Sequence, residues 1–333
     1  MTRVAINGLG RIGRAAFKVL LDTPELDLVA VNDLTPIDGI VYLLKYDTVY
    51  GRYANEISAA GESLMANGWE IRYYSEKDPA RLPWKDLEVD IALECTGVFT
   101  KREELQRHIE AGAQRAILSA PAKSDDVATV VHGVNKPEQG SQVISTASCT
   151  TNCITPVVEV VGRRIGIRKS LMTTIHAYTS SQAIVDTYKK KARRGRAGAA
   201  NLVPTSTGAA IATTKALPQY QGKFDGVAVR APVTVGSIAD MVFVLERESS
   251  TREINDIFRE EAESERYKGI LGVSEDELVS SDIIGDPRAS IVDLAMTQVV
   301  DGDLAKIMSW YDNEWGYTNQ MIREAVRIAK EEL

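Results

Sequence analysis

The sequence predicts an α/β protein: a doubly wound parallel sheet joined to an α+β domain with an antiparallel sheet. Three observations lead there. A glycine-rich turn follows the first apolar run, short apolar runs then alternate with helix-like segments through the first half, and longer β-rich runs fill the second half. Alternation of strand and helix implies a parallel sheet covered on both faces, and segregated runs imply an antiparallel sheet with its helices to one side.

Val4–Ile6, Leu28–Val31, Ile91–Leu93 and Ala116–Leu118 are too uniformly apolar to be half-exposed, so they read as buried strands. Arg11–Asp22 and Lys101–Ala111 have helical spacing between them, and the polar stretch 51–87 reads as an antiparallel insertion. In the second half, strands are expected at Ser170–His176, Gly226–Val229, Ile238–Leu245, Ile291–Val300 and Ala305–Trp310, with helices at Thr151–Ile165 and Thr251–Ser264. The last helix, about Tyr317–Lys330, carries Tyr317, Met321, Ala325 and Ile328 on one face, which needs a partner surface.

A length of 333 residues suggests two domains. The net charge of −7 argues against non-specific nucleic-acid binding, and no nucleic-acid partner is expected. Three cysteines, Cys95, Cys149 and Cys153, are a poor disulfide framework and fit a reducing compartment. No metal site is expected, because His108, His132 and His176 are the only histidines and none has ligand spacing to the cysteines. With no leader-like start and no apolar run of about 20 residues, a cytoplasmic protein without a membrane partner is expected.

Gly8-Leu9-Gly10-Arg11-Ile12-Gly13 fits G-x-G-x-x-G, follows a strand and opens a helix. Its glycines allow a tight turn, close approach of a pyrophosphate and close helix–strand packing, and free N–H groups at the helix start attract the anion. Asp33 follows the third glycine at the distance where a carboxylate meets a ribose hydroxyl. Together these predict a Rossmann-type dinucleotide site.

Cys149 lies between an extended segment and a helix, where the helix dipole is expected to lower its pKa and favour the thiolate. His176 closes the apolar run Leu171–Ile175 and is the candidate base. Cys95, Cys153, His108 and His132 lack such settings and read as structural.

Five segments, 5–14 around the glycine turn, Ala147-Ser148-Cys149-Thr150-Thr151-Asn152, Thr174–Thr179, Pro204–Ala210 and Trp310–Tyr317, closely resemble the phosphorylating glyceraldehyde-3-phosphate dehydrogenase family, in family order. The resemblance implies a Rossmann domain over 1–148, completed by the C-terminal helix 314–333, and a catalytic domain over 149–313. It implies a homotetramer that oxidises and phosphorylates D-glyceraldehyde 3-phosphate to 1,3-bisphosphoglycerate with NAD, in glycolysis or gluconeogenesis, through a hemithioacetal and thioester on Cys149. Thr179 and Arg230 would hold the C3 phosphate, and Ser148, Thr207 and Gly208 the inorganic phosphate, with Thr150 also among the substrate- and phosphate-binding residues. Arg194 would lie between the two, with Arg193 as its competitor in register. Asn7, Gly8, Gly10, Arg11, Ile12, Gly13, Asp33, Lys77, Ser119 and Asn313 would line the cofactor site.

Two departures from the family pattern matter. Thr187-Tyr188 stands where NAD-specific relatives often carry Leu-Pro, which leaves NADP possible. A tyrosine near this position also resembles erythrose-4-phosphate dehydrogenase, an alternative that Thr179 and the run Thr207–Ala210 disfavour. A scaffolding or RNA-binding relative, using the basic loop 189–196, is the rival from another class.

Overall fold

Thr2–Asn7 (β1) buries Val4, Ala5 and Ile6 completely. Both faces of this strand are therefore covered, as its uninterrupted apolar run requires. The computed structural model describes residues 1–331 and 333. It divides into two units, one of residues 1–130, 136–147 and 321–333, the other of 131–135 and 148–320.

Unit one contains α1 (Arg11–Leu21), β2 (Leu26–Asn32), α2 (Ile37–Lys45), the short ladder β3 (Tyr46–Asp47) and β4 (Gly51–Arg52), β5 (Ile57–Ala60), β6 (Ser63–Ala66) and β7 (Trp69–Tyr74). It continues with β8 (Ile91–Glu94), α3 (Arg102–Glu110), β9 (Arg115–Leu118), β10 (Ala128–Thr129) and β11 (Val143–Ser145). Nine strands form one sheet in the order β10-β11-β9-β8-β1-β2-β7-β6-β5. All pairings from β10 to β7 are parallel, and the insertion adds β6 and β5 antiparallel at one edge. The chain leaves β1 for β2 on one side and later returns to β8 on the other. That switch opens a crevice beyond the carboxyl end of β1, where doubly wound sheets bind nucleotides. Helix α1 turns Ala16, Phe17 and Leu20 onto this sheet, and removing the wholly buried Phe17 ring would cost about 3–5 kcal/mol.

Unit two begins with α4 (Cys149–Arg164) and β12 (Ile167–Ala177), followed by β13 (Val203–Ser206), α5 (Ala209–Ala216), β14 (Phe224–Ala231) and β15 (Ser237–Leu245). Then come α6 (Thr251–Ala262), β16 (Leu271–Ser274), β17 (Ser290–Val300), β18 (Leu304–Tyr311) and α7 (Trp315–Glu331), whose residues from Met321 onward belong to unit one. Seven strands form a sheet in the order β13-β14-β12-β15-β18-β17-β16. The pairings β12–β14 and β16–β17 are parallel and the others antiparallel, so the sheet is mixed where an antiparallel one was expected. The parallel pairs arise because the chain crosses over through α5 and through the loop after β16 instead of turning back in hairpins.

One face of this sheet packs against α4 and α6, burying Val157, Val161, Phe243, Phe258 and Ile307. Strand alternation then fixes direction: Ser170, Met172, Thr174 and His176 are buried on the core side, whereas Leu171 points away and is exposed.

Candidate active site

The candidate nucleophile's position starts from a strained residue. Ala147 has φ 58°, a left-handed conformation that a non-glycine residue adopts only where its surroundings impose it. Ser148 follows in extended conformation and caps α4, its Oγ accepting the Thr151 N–H at 3.2 Å. Cys149 is thereby the first residue of α4, and its Sγ lies 3.4 Å from His176 Nε2. Cys95 and Cys153 are buried, and desolvation pushes both thiols up to about 12. Among the described residues neither is hydrogen-bonded to a base, and Cys153 makes weak hydrogen bonds to Ser290 Oγ and the Ser309 carbonyl.

Register brings the base its electrostatic neighbour. Parallel pairing of β12 with β14 sets His176 opposite Arg230, 54 residues away in sequence. Arg230 Nη1 lies 2.5 Å from His176 Nδ1 and 3.0 Å from the Ala177 carbonyl, which is itself 2.7 Å from Nδ1. Nδ1 therefore meets both a donor, Arg230, and an acceptor, the Ala177 carbonyl; the tautomer a base needs is the one with Nδ1–H toward the carbonyl and the Nε2 lone pair toward Cys149, whereas accepting from Arg230 puts the proton on Nε2.

Burial pushes the His176 imidazole down to about 3, and the Arg230 and Arg194 charges add to the depression against the Ala177 hydrogen bond. Burial also pushes the Cys149 thiol up, with Arg230 and the Thr150 N–H pulling it back. The depression expected from the helix start is therefore outweighed. Each group alone favours its neutral form because desolvation disfavours either charge.

Around this pair the polar side chains form short chains. Arg194 is half-buried, its Nε donating to Thr205 Oγ1 at 3.1 Å and its Nη1 to Ser181 Oγ at 3.2 Å. Ser181 Oγ is in turn 2.8 Å from Thr179 Oγ1, which gathers Thr179 and Arg194 around one serine. Arg193 is exposed. Arg230 Nε is buried and, among the described residues, has no hydrogen-bond partner, so the guanidinium retains a donor.

Thr207 and Gly208 lie at the start of α5, Thr207 Oγ1 accepting the Ala209 N–H at 3.2 Å. Thr150, expected among the phosphate ligands, has its hydroxyl engaged with Tyr311 OH at 2.9 Å. Tyr311 continues to Thr174 at 2.8 Å and meets the His176 ring edge-on. Sequence reasoning gave Ser181 and Tyr311 no role. Tyr311 lay inside a quoted motif, but only tertiary contact reveals what it orients.

Asn313 also lies in unit two. Ser237 Oγ accepts the Ala177 N–H at 3.1 Å and donates to Asn313 Oδ1 at 2.9 Å. This polarity turns the Asn313 amide so that its NH₂ faces away from Ser237.

In unit one, most of the expected cofactor residues follow the carboxyl ends of parallel strands: the glycine turn after β1, Asp33 after β2, Lys77 after β7 and Ser119 after β9. Gly8 has φ +95°, and a Cβ there would stand 2.7 Å from Thr96 N. A Cβ on Gly13 would stand 1.8 Å from the Gly8 carbonyl oxygen. Both positions exclude any side chain, and Gly10, Arg11 and Ile12 start α1 with its N–H groups facing the crevice. Asp33 Oδ2 accepts the Leu9 N–H at 2.6 Å and Oδ1 the Thr35 N–H at 2.9 Å. Each carboxylate oxygen keeps a further acceptor position for a ribose hydroxyl.

These residues fit a dinucleotide. Arg11 is paired with Asp47 and lies over the Tyr50 ring, Lys77 is exposed, and Asn7 turns its side chain inward to Glu94 at 2.6 Å. Among the described residues no cluster of His, Cys, Asp and Glu could hold a metal, and no helix is long and apolar enough to cross a membrane.

Comparison with known proteins gives the same answer as the geometry. A family model described as "Glyceraldehyde 3-phosphate dehydrogenase, NAD binding domain" matches residues 2–102, and one described as the C-terminal domain of the same enzyme matches residues 148–313. Proteins named glyceraldehyde-3-phosphate dehydrogenase from Streptomyces coelicolor and Geobacillus stearothermophilus are each 46% identical over 99% of both chains. One from Zymomonas mobilis is 43% identical over 98% of both. A glycine turn that admits no Cβ at Gly8 or Gly13, a cysteine–histidine pair across α4 and β12, and likeness along the whole length place this chain in the glyceraldehyde-3-phosphate dehydrogenase family.

Proposed function

We propose that the protein oxidises D-glyceraldehyde 3-phosphate with NAD and inorganic phosphate, giving 1,3-bisphosphoglycerate. The observation that carries this reading is the 3.4 Å approach of Cys149 Sγ to His176 Nε2 beside two arginines. A thiol, a base and a dianion-binding pair are what acyl transfer from a phosphorylated aldehyde requires. Unit one serves the cofactor and unit two the substrate.

The substrate's C3 phosphate docks on Thr179, Arg194 and Arg230. As a dianion it offsets the positive charge that depresses His176, so the base strengthens when the aldehyde arrives. Cys149 sulfur then adds to the aldehyde carbon, the Cys149 backbone N–H supports the developing oxyanion, and the thiol proton passes to Nε2 and from there to that oxygen, which gives the hemithioacetal and leaves His176 neutral. His176 removes the hydroxyl proton as the hemithioacetal collapses. The glycine turn and Asp33 of unit one would hold NAD, which would supply the hydride acceptor for this oxidation; Asn313, in unit two, is a further candidate cofactor residue. Ser148, Thr207 and Gly208 hold the inorganic phosphate whose oxygen displaces Cys149 sulfur, and His176 returns a proton to the thiol. The Thr150 hydroxyl, engaged with Tyr311, orients the start of α4, while its N–H serves the Cys149 sulfur.

A homotetramer accounts for the outer face of the second sheet. Leu171, Ile211 and Leu304 are exposed there, around a groove of about 700 Å³ lined also by Val242 and Val244, and Val227 is exposed as well. A contiguous apolar face of this kind marks an association surface. Three free cysteines, one of them required as a thiol, favour a reducing compartment, the cytoplasm.

The test is an initial-rate assay crossing NAD and NADP with glyceraldehyde 3-phosphate and erythrose 4-phosphate, with and without phosphate. The reading expects the triose with NAD to be fastest, and a burst of reduced cofactor followed by slow turnover when phosphate is omitted. Faster turnover of the tetrose, or undiminished steady turnover without phosphate, overturns it.

A further inference from the structure

Behind the glycine turn of unit one lies a chain of polar side chains that the reaction does not use. Glu94, at the end of β8, and His108, on α3, are both wholly buried. Donor and acceptor roles along the chain are fixed from its two ends. At one end Asn32 Oδ1 accepts the Glu76 N–H at 2.8 Å, and its Nδ2 donates to the Glu76 carbonyl at 2.9 Å and to Asn7 Oδ1 at 2.7 Å. Asn7 Oδ1 is therefore an acceptor, and Asn7 Nδ2 donates to Glu94 Oε2 at 2.6 Å.

At the other end Trp84 Nε1–H, which can only donate, faces His108 Nδ1 at 3.0 Å. The ring proton must then sit on Nε2, which donates to Glu94 Oε2 at 3.1 Å. The other oxygen, Oε1, accepts the Thr96 N–H at 2.8 Å and meets the Thr96 hydroxyl. Glu94 thus receives donors on both oxygens, and among the described residues no lysine or arginine pairs with it. Burying a carboxylate on neutral donors alone is expensive, and an apolar side chain would fill β8 more cheaply.

The return is geometric. Asn7 immediately precedes Gly8, and Thr96 is the residue whose backbone N and Cα a Gly8 side chain would strike, at 2.7 and 2.8 Å. The two oxygens of Glu94 therefore tie together the two chain segments that flank Gly8. We propose that Glu94 is a positioning residue for NAD, holding the phosphate-cradling turn in shape, with His108 and Trp84 fixing the carboxylate from behind. The inference rests on the reading of this turn as the NAD site and adds residues that do not touch the cofactor.

The test uses the full-length enzyme, with NAD binding by titration calorimetry, steady-state kinetics and a thermal melt for each variant. In Glu94→Gln the amide NH₂ must face either the Asn7 and His108 donors or the Thr96 N–H, so one contact becomes donor against donor. The dissociation constant and KM for NAD should rise at least about tenfold, while kcat at saturating NAD and the aldehyde KM stay within about twofold. His108→Gln can still accept from Trp84 and donate to Glu94, so it should bind NAD nearly as wild type does. His108→Leu should lose affinity as Glu94→Gln does.

Unchanged NAD affinity in folded Glu94→Gln or His108→Leu overturns the proposal. So does His108→Gln being as damaging as His108→Leu, or a fall in kcat without a change in NAD affinity. Should Glu94→Gln not fold, the two His108 variants decide. A wild type that binds no NAD would instead overturn the cofactor reading, and this inference with it.

Discussion

Replacing Asp33 should move cofactor preference, and the structure says by how much. Its carboxylate is held on both oxygens, by Leu9 N–H at 2.6 Å and Thr35 N–H at 2.9 Å, so it cannot simply rotate away from an incoming 2′-phosphate. Two unit charges about 4 Å apart at an effective dielectric near 20 repel by roughly 4 kcal/mol, an upper figure for a half-exposed group that salt screens. The ratio of kcat/KM for NADP to that for NAD should therefore rise between about tenfold and 10³-fold on removing the charge, equivalent to about 1.4 to 4 kcal/mol.

Two substitutions separate charge from shape. Asp33→Asn keeps one acceptor for the turn and should shift the ratio with a modest loss of NAD activity. Asp33→Ala abandons both N–H groups, one of them in the glycine turn, and should lower NAD kcat/KM further while shifting the ratio as far or farther. The assay is initial rates with each cofactor at fixed aldehyde and phosphate. If wild type already prefers NADP, or both variants leave the ratio within about twofold of wild type, Asp33 is not the discriminator and Thr187–Lys191 becomes the segment to mutate.

Further outcomes bear on the pair and on stability. Cys149→Ser should keep NAD binding and lose turnover, because a hydroxyl lacks the thiolate's nucleophilicity; retention of about a tenth of wild-type rate would refute the assignment. Cys153→Ser should be far milder, since its sulfur is hydrogen-bonded to Ser290 and the Ser309 carbonyl and, among the described residues, to no base. His176→Asn should slow hydride transfer by about 10²–10⁴-fold in a single-turnover assay, and a change under about tenfold would remove His176 from the mechanism.

Glu261 is held below the usual carboxylate range: burial works upward, but hydrogen bonds from Arg163 and Arg164 outweigh it. Its folded-state pKa being depressed, it contributes stability above its unfolded value that is lost as pH falls through the folded one. Glu261→Gln should cost about 1–2 kcal/mol at pH 7 by denaturant melts, discounted because both arginines are partly exposed. That difference should shrink in acid; one that stays constant with pH would show that Glu261 acts by packing alone.

Local chemistry was enough to find the glycine turn, the helix start at Cys149 and the strand that ends at His176. Each is written in a short window: glycine spacing after an apolar run, a cysteine between an extended segment and a helix, a histidine closing an apolar run. The helices Ile37–Lys45 and Ala209–Ala216 escaped because one exposes much of its apolar surface and the other has little amphipathic contrast. Periodicity, the main sequence signal for a helix, is faint in Ala209–Ala216, whereas Ile37–Lys45 does place Ile40 and Leu44 on one face and went unread.

What no local window contains is pairing between distant segments. That β14 lies parallel to β12, and so sets Arg230 against His176 Nδ1, depends on a crossover through α5. Burial of the pair, decided by how α4 packs on the sheet, reversed the expected direction of the Cys149 shift, since desolvation of a charge outweighs a helix dipole felt at one end. Asn7 was legible as part of a cofactor motif, yet its side chain serves Glu94, 87 residues away. The sequence by itself determined which residues are candidates for the chemistry, because reactivity belongs to side-chain type and local turn. Tertiary structure alone decided what each faces, because charge, burial and hydrogen-bond direction are properties of neighbours that the chain brings together only on folding.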